Sequence, residues 1–515
     1  MKLILPIAGD DRNFVKHFKS SKHLIKINGV FLIQKVLNNI NIKSFKEIII
    51  ICKSKDYKGY NFKKNIKSQY NNIRYVCLSK KTVNQIDTIA YADKYLIKDD
   101  KIVILNPDSF FDINKNLFKS YLNNMNMDGL IYFINKKEII NEDFNIGKEL
   151  FIQKNNRLSK ILLSNKEIVN NENVLTSAGL YYFKKWEFFI KFLNQYKKLK
   201  KQNNHTIILF YNYMLKNNYK INTTSVNNFI DLGNVNKINE YFFWKKYFKV
   251  SHKKISKLKF NKIQNIIPAA GEGSRHKKLG FNVPKPLIKI SNKEMVLQSY
   301  LSLPKSNKTI LIFKTNTIKK FNLKKILNKK IKNLNLVGIK NKTKGMAITV
   351  SKAKKFIDNK LPVIVSSCDF KCVINFEKLQ KMLKTKNPDA IIFTWKNYPL
   401  ASESPNSHAY VKVKNQIVTK ISEKKTISND PDNDFAVTGM FYFRKASLMN
   451  ECTKYMIDNK ITVNGEYYTA TSMNKLLKDK MKIYNFEVDQ FISWSLPEHL
   501  IKYNLWEKII NKDKF

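Results

Sequence analysis

Arginine is nearly absent from this chain: five of its 94 basic residues are arginine and the rest are lysine. The net charge of +54 would ordinarily point to nucleic acid or an anionic membrane as partner. Lysine is nevertheless spread along the chain with no block of six or more, and asparagine, isoleucine, phenylalanine and tyrosine are abundant beside it. That is the composition of strongly AT-biased coding, so no nucleic-acid partner is expected. In such a chain a retained arginine marks a place where a planar, multidentate donor matters, and Arg275 stands inside a glycine loop.

Cysteine is sparse as well. Cys52, Cys77, Cys368, Cys372 and Cys452 form no C-x-x-C pair and have no histidines at zinc-ligand spacing, which leaves reduced cytosolic thiols. No apolar run approaches the length that spans a bilayer, and the apolar start Met1–Ala8 meets Gly9-Asp10-Asp11-Arg12 too soon for a signal peptide. A cytoplasmic protein with no membrane span is expected. Two common phosphate loops are also missing. After Gly271-Glu272-Gly273-Ser274-Arg275 comes His276, where G-x-G-x-x-G would need glycine, and no Gly-Lys-Ser/Thr closes a P-loop.

What is present is the stretch Asn265–Ile290: a short apolar strand, a loop with Gly271 and Gly273, then Arg275, and ten residues later Lys285 between Pro284 and Pro286. Glycines let backbone N–H groups approach a polyphosphate, and Arg275 and Lys285 offer the charge such a ligand needs. The two separated halves of this stretch resemble the signature of the sugar nucleotidyltransferases, the nucleotide-sugar pyrophosphorylases: an apolar strand, A-G-x-G-T/S-R, a spacer, and P-K-P-L. Ala270, Gly271, Gly273 and Ser274 match its nucleotide-binding part.

At 515 residues the chain is long for one core, and it contains a repeat. Leu5-Pro6-Ile7-Ala8-Gly9 aligns with Ile267-Pro268-Ala269-Ala270-Gly271, Ala178–Phe183 with Thr438–Phe443, and Phe229–Trp244 with Phe491–Trp506. A period of about 260 residues means duplicated domains rather than a solenoid. The expected organisation is residues 1–250, a lysine-rich linker 251–262, and residues 263–515. Apolar runs at Lys46–Cys52, Lys101–Leu105, Thr309–Phe313 and Pro362–Ser366 read as buried parallel strands, Gln416–Ile421 as a further strand, and Lys344–Ile357 and Phe376–Lys384 as helices between strands. This alternation predicts α/β domains with a mostly parallel sheet flanked by helices. The resemblance implies two tandem nucleotide-diphospho-sugar transferase (GT-A-like, Rossmann-like) domains.

Asp369 follows the Pro362 strand, at the carboxyl end where open α/β sheets bind ligands, well placed to hold Mg²⁺ on a triphosphate, or else to cap the next turn. The resemblance implies that Asp369 is a metal ligand, that Arg275 and Lys285 are catalytic, that Lys424 of the Glu423-Lys424 pair binds the phosphate of a sugar phosphate, and that Gly439 lets backbone approach the sugar. Ser493 stands where a second acidic ligand would be expected, and Asp489 is the nearest substitute. Glu466 in Asn464-Gly465-Glu466-Tyr467-Tyr468 is expected either to bond sugar hydroxyls or to cap the following helix. His408 and Tyr410 lie in a segment that some relatives use for substrate contact.

Together these residues suggest an in-line displacement in which a sugar-1-phosphate, or a similar phosphomonoester, attacks the α-phosphate of a nucleoside triphosphate, with Mg²⁺ as cofactor. Surface polysaccharide synthesis is the expected setting. A GT-A glycosyltransferase would want D-x-D, which Asp369-Phe370-Lys371 is not, and a pair of non-catalytic binding modules would have no reason to keep Arg275, Lys285, Asp369 and Lys424 together. The first copy departs from the pattern: Asp10 and Asp11 replace the second glycine region, and Leu163-Ser164 replaces Glu423-Lys424, while Arg12, Lys22, Asp108 and Asp231 remain. It reads as a degenerate copy that packs against or regulates the second, or else as an active domain with a different substrate, with a homo-oligomer also allowed.

Overall fold

The computed structural model describes residues 1–27, 29–40, 42–59, 61–66, 72–123, 126–134, 149–162, 174–198, 205–251, 262–397 and 404–511. Two compact units emerge, Met1–Tyr241 with Leu505–Phe515, and Phe242–Asn504. The expected linker falls almost wholly on 252–261, outside the described residues. Leu163 and Ser164 lie outside them too.

In the first unit the strands are β1 (Lys2–Pro6), β2 (Glu47–Lys53), β3 (Ile73–Leu78), β4 (Ile102–Leu105), β5 (Ser109–Asp112), β6 (Gly129–Ile134), β7 (Leu150–Lys154), β8 (Arg157–Leu162), β9 (Val174–Phe183) and β10 (Ile221–Asp231). They are ordered β3-β2-β1-β4-β9-β6-β10-β8-β7, with β5 paired to β10. The second unit has β11 (Gln264–Pro268), β12 (Lys308–Lys314), β13 (Leu334–Ile339), β14 (Val363–Ser366), β15 (Phe370–Val373), β16 (Ala390–Trp395), β17 (Ala409–Lys414), β18 (Ile417–Glu423), β19 (Phe435–Phe443), β20 (Ile483–Glu487) and β21 (Gln490–Ser493). Their order, β13-β12-β11-β14-β19-β16-β20-β18-β17, is that of the first unit shifted by ten, and β15 pairs with β21 as β5 does with β10.

The α/β class is as expected, but each sheet is mixed. The first four strands of each order run parallel. Then β9 or β19 enters antiparallel to the strands on both its sides. Continuous isoleucine and valine runs form the parallel strands because both faces are covered: Ile48 to Cys52 and Thr309 to Phe313 are all buried. Ile4, Ile49, Ile51 and Ile104 feed one core with Phe183, Trp186 and Phe189, and Ile266, Ile310, Ile312 and Val365 feed the other. Each such side chain is worth roughly 1.5–3 kcal/mol of transfer free energy.

The local expectations need trimming. Lys344–Ile357 is a shorter helix, Met346–Ser351, followed by a 3-10 turn at Lys354–Phe356, because Gly345 at φ 103° turns the chain before the helix can begin. Phe376–Lys386 runs slightly longer than expected, with Asn375 accepting from the Lys378 amide as its cap. The strand expected from Gln416 begins at Ile417, since Asn415 and Gln416 are both left-handed (φ 50° and 65°) and make the two-residue hairpin turn between β17 and β18.

The repeat extends to backbone detail. Gly179 in β9 and Gly439 in β19 both have positive φ, and each carbonyl accepts from the amide just past the neighbouring strand, Asn106 and Ser367 respectively. A Cβ at Gly179 would sit 2.7 Å from Asn106 Nδ2, and one at Gly439 2.6 Å from Ser367 Oγ. Glycine is required at both.

Candidate active site

The site of the second unit is built where β11 and β14 end. Ala269 continues β11 by donating to the Ile312 carbonyl, Ala270 is buried, and Gly271 and Glu272 are exposed. Gly273, at φ 61°, turns the loop into the short helix Ser274–Lys278, which presents Ser274 and Arg275 to solvent. A Cβ at Gly273 would lie 2.8 Å from Lys285 Cβ, whereas one at Gly271 would meet nothing. Gly273 therefore lets the two halves of the motif touch, a role distinct from backbone approach to phosphate.

Lys285 opens the 3-10 turn Lys285–Leu287, with Pro284 and Pro286 limiting its backbone. Its Nζ is 2.5 Å from Asp369 Oδ2 and donates to the Ser495 carbonyl at 3.2 Å. Burial alone would push the Asp369 carboxyl up, but the Lys285 ammonium, by charge and hydrogen bond, brings it below the usual carboxylate value. His276 is buried, its Nε2 without a hydrogen-bond partner among the described residues. Burial, then the Lys285 charge, lowers its basicity.

The charges of Arg275 and Asp369 reach a second group of residues. Lys424, at φ 59° just past β18, donates its amide to the His408 carbonyl and its Nζ to the Ser407 carbonyl at 2.7 Å, with the ammonium 5.5 Å from the Tyr468 ring centre. Burial lowers its basicity; Glu423 opposes this, and the Arg275 charge adds to it. Asp369 acts on Lys424 as well, so Arg275, Lys285, Asp369 and Lys424 share one field. Burial pushes the Glu423 carboxyl up to about 7 against the opposing charge of Lys424. Tyr468 donates to Glu466 Oε2 at 2.6 Å. Glu466 makes no cap to the helix Thr469–Ser472, which has no side-chain cap. His408 is buried with its ring edge toward Trp395, and burial, followed by the charges of His499 and Lys424, lowers its basicity to about 3. Tyr410 donates to the Pro405 carbonyl.

Asp489 does not join them. In the antiparallel pair β15/β21 Phe370 is opposite Ser493 and Val373 opposite Gln490, so Asp369 bonds Trp494 at one end and Asp489 bonds Val373 at the other. Five residue steps of ribbon separate them by ~16 Å. Ser493, nearer to Asp369, is buried and donates to Ser495. Among the described residues no group of three or more His, Cys, Asp or Glu could hold a metal. The residues present offer Mg²⁺ one carboxylate, Asp369, which fits an ion that takes one or two carboxylates and completes its shell with phosphate oxygens and water.

Sequence reasoning passed over three participants: His276, the Ser495 carbonyl, and Gly345. A Cβ on Gly345 would lie 2.5 Å from the Tyr467 carbonyl oxygen; the Tyr467 amide bonds Lys344 and its carbonyl accepts from Ala347. This contact seats the Glu466-bearing turn. A conspicuous glycine before a helix was the available signal, but nothing local names its distant partner.

The first unit repeats the ion pair: Lys22 Nζ is 2.8 Å from Asp108 Oδ2. Its loop differs. Arg12 donates through Nε to both oxygens of Asp10 and lies 2.6 Å away through Nη2, and this guanidinium holds the Asp10 carboxyl at about 2. Asp11 pairs with Lys53 at 3.6 Å.

Among solved structures the chain resembles a nucleoside-diphosphate-sugar pyrophosphorylase from Vibrio cholerae RC9 (17% identity, 46% of this chain and 98% of that one, TM-score 0.39) and an inositol-1-phosphate CTP transferase from T. maritima (15%, 48% and 96%, TM-score 0.37). It also resembles a putative glucose-1-phosphate thymidylyltransferase from Bacillus anthracis (15%, 47% and 94%, TM-score 0.37). No curated protein matches the chain. No helix among the described residues is long and apolar enough to cross a membrane. Residues 264–495, from β11 to the serine that receives Lys285, match the nucleotidyl transferase family.

Proposed function

We propose that the second unit transfers a nucleoside monophosphate from a nucleoside triphosphate to a sugar-1-phosphate, or a similar phosphomonoester, with release of pyrophosphate. The observation that carries this reading is the meeting of Lys285 and Asp369 at 2.5 Å, in the field shared with Arg275 and Lys424, inside the segment that matches the nucleotidyl transferase family.

The acceptor phosphate oxygen is already a nucleophile at neutral pH, so the chain has to orient and neutralise rather than take a proton. Lys424 holds the acceptor phosphate, with Glu466, Tyr468 and the backbone at Gly439 facing the sugar. Ala270, Gly271 and Ser274 line the nucleotide side. Lys285 neutralises charge growing on the α-phosphate, and Arg275 receives the departing pyrophosphate through its planar donors. Mg²⁺, held by Asp369, would supply further charge neutralisation across the reacting phosphates.

The first unit, in this reading, binds nucleotide poorly, because Asp10 already occupies the arginine that would receive a polyphosphate. It serves as a pseudo-enzyme copy. An activated sugar suits surface polysaccharide synthesis in the cytoplasm, where triphosphates are available. A screen of pyrophosphate release against four nucleoside triphosphates and a panel of sugar-1-phosphates tests the activity; no release with any pair would reject it.

A further inference from the structure

Two thiols that the proposed reaction does not use stand side by side in the first unit. β2 and β3 are parallel neighbours, and their register places Cys52 directly opposite Cys77. β3 is the outermost strand of its sheet. Residues in direct register on one face of neighbouring strands have Cα atoms roughly 5 Å apart, within the ~4.4–6.8 Å range that a disulfide spans. Ile49, Ile51, Val76 and Leu78 point into the large core cluster, so the alternation of side chains turns Cys52 and Cys77 together to the opposite face. There the Cys77 thiol lies close enough to act on the Cys52 thiol.

Their exposure differs in a useful way. Cys52 is fully buried and Cys77 is exposed. Burial pushes the Cys52 thiol well above its ordinary value, so Cys77 is the sulfur that reacts first with a reagent from solution. An oxidant can therefore reach one sulfur, and the other is held beside it as the resolving group.

We propose that Cys52 and Cys77 are a redox-modifiable pair that closes into a disulfide on exposure to a hydroperoxide. In the first step the exposed Cys77 sulfur attacks the peroxide O–O bond, giving Cys77 sulfenic acid and one molecule of water or alcohol. In the second the Cys52 sulfur attacks the sulfenic sulfur, the S–S bond forms, and the hydroxyl leaves as water with the Cys52 proton. Two thiols are oxidised by two electrons and the peroxide is reduced by the same two. A thiol reductant reverses the change.

The bond would tie the edge strand to its neighbour one residue before Lys53. That lysine bridges Asp11 at 3.6 Å and Asp56 at 3.9 Å, two of the side chains lining an open cavity of about 500 Å³ with Arg12, Val15, Lys55 and Gly59. The oxidised form would thus be marked beside the loop that distinguishes the first unit from the second.

The experiment treats the full-length protein with hydrogen peroxide, blocks free thiols under denaturing conditions, and maps peptides without reduction. The expected result is a cross-linked peptide pair joining Cys52 to Cys77, lighter by two hydrogens and lost on adding dithiothreitol. In the Cys77→Ser protein Cys52 should stay reduced and alkylatable after unfolding. Phenylarsine oxide, which captures two neighbouring thiols on one arsenic, gives an oxidant-independent readout: it should bind the native wild type at these two residues and lose that binding in Cys77→Ser. Oxidation of Cys77 to sulfinic or sulfonic acid with Cys52 left free, or no arsenical capture at this pair, would overturn the proposal.

Discussion

Lys285 Nζ and Asp369 Oδ2 stand 2.5 Å apart, although the two residues are separated by 84 positions. The pair fixes the cation that would meet the α-phosphate and the carboxylate that would hold Mg²⁺ in one place. Its counterpart, Lys22 with Asp108, survives in the first unit even though the adjoining loop does not, so the ion pair belongs to the frame of the fold.

Lys285→Ala should lower turnover by roughly two to three powers of ten, as loss of one preorganised donor does. It should also cost stability on the order of 1–3 kcal/mol, because the Asp369 carboxylate is left without its partner. Pyrophosphate release and a urea melt measure the two effects separately. A turnover loss below about threefold contradicts the catalytic assignment.

Asp369→Asn should abolish the response of activity to added Mg²⁺, and EDTA should silence the wild type. The same variant should flatten the acid limb of unfolding. The Asp369 carboxyl is held below its ordinary value, so its stabilising contribution is present above the unfolded value of 3.8 and is lost as pH falls through the lower folded value. An unchanged metal titration in the variant refutes the ligand role.

Gly273→Ala and Gly271→Ala should behave differently. At Gly273 the positive φ and the 2.8 Å approach to Lys285 Cβ predict a loss of about 1–2 kcal/mol and a displaced lysine. Gly271 has open space around it, so alanine there should leave the melt within about 0.5 kcal/mol of wild type and raise the KM for nucleotide only. Equal melting temperatures for the two variants argue against the packing role of Gly273.

Glu423 gives a pH signature of opposite sign. Burial lifts its carboxyl from 4.5 to about 7, so the folded chain holds a proton that the unfolded chain releases. The resulting stabilisation is complete below the unfolded value and is lost as pH rises through about 7. Glu423→Gln should remove this decline. Parallel stability curves for wild type and variant across that window would show that Glu423 titrates elsewhere.

Calorimetric titration of the full chain with its preferred triphosphate should give one site per chain. Arg12 is engaged by Asp10, leaving the first unit without a free guanidinium in its loop. Two sites of similar affinity would reject the pseudo-enzyme reading.

The sequence alone carried the tandem repeat, the α/β class and the two halves of the nucleotide motif, because these rest on local properties: β-branched runs for buried strands, glycines for a loop, prolines around a lysine. The tertiary structure decided how residues distant in sequence meet. Antiparallel pairing of β15 with β21 carries Asp489 away from Asp369 as it brings Trp494 toward it, and no local pattern encodes that register. The same holds for the Tyr467 turn on Gly345 and the close fit of Gly273 against Lys285. Propensity acts over a few neighbouring residues, whereas the position of a charge depends on which strands pair and in which direction.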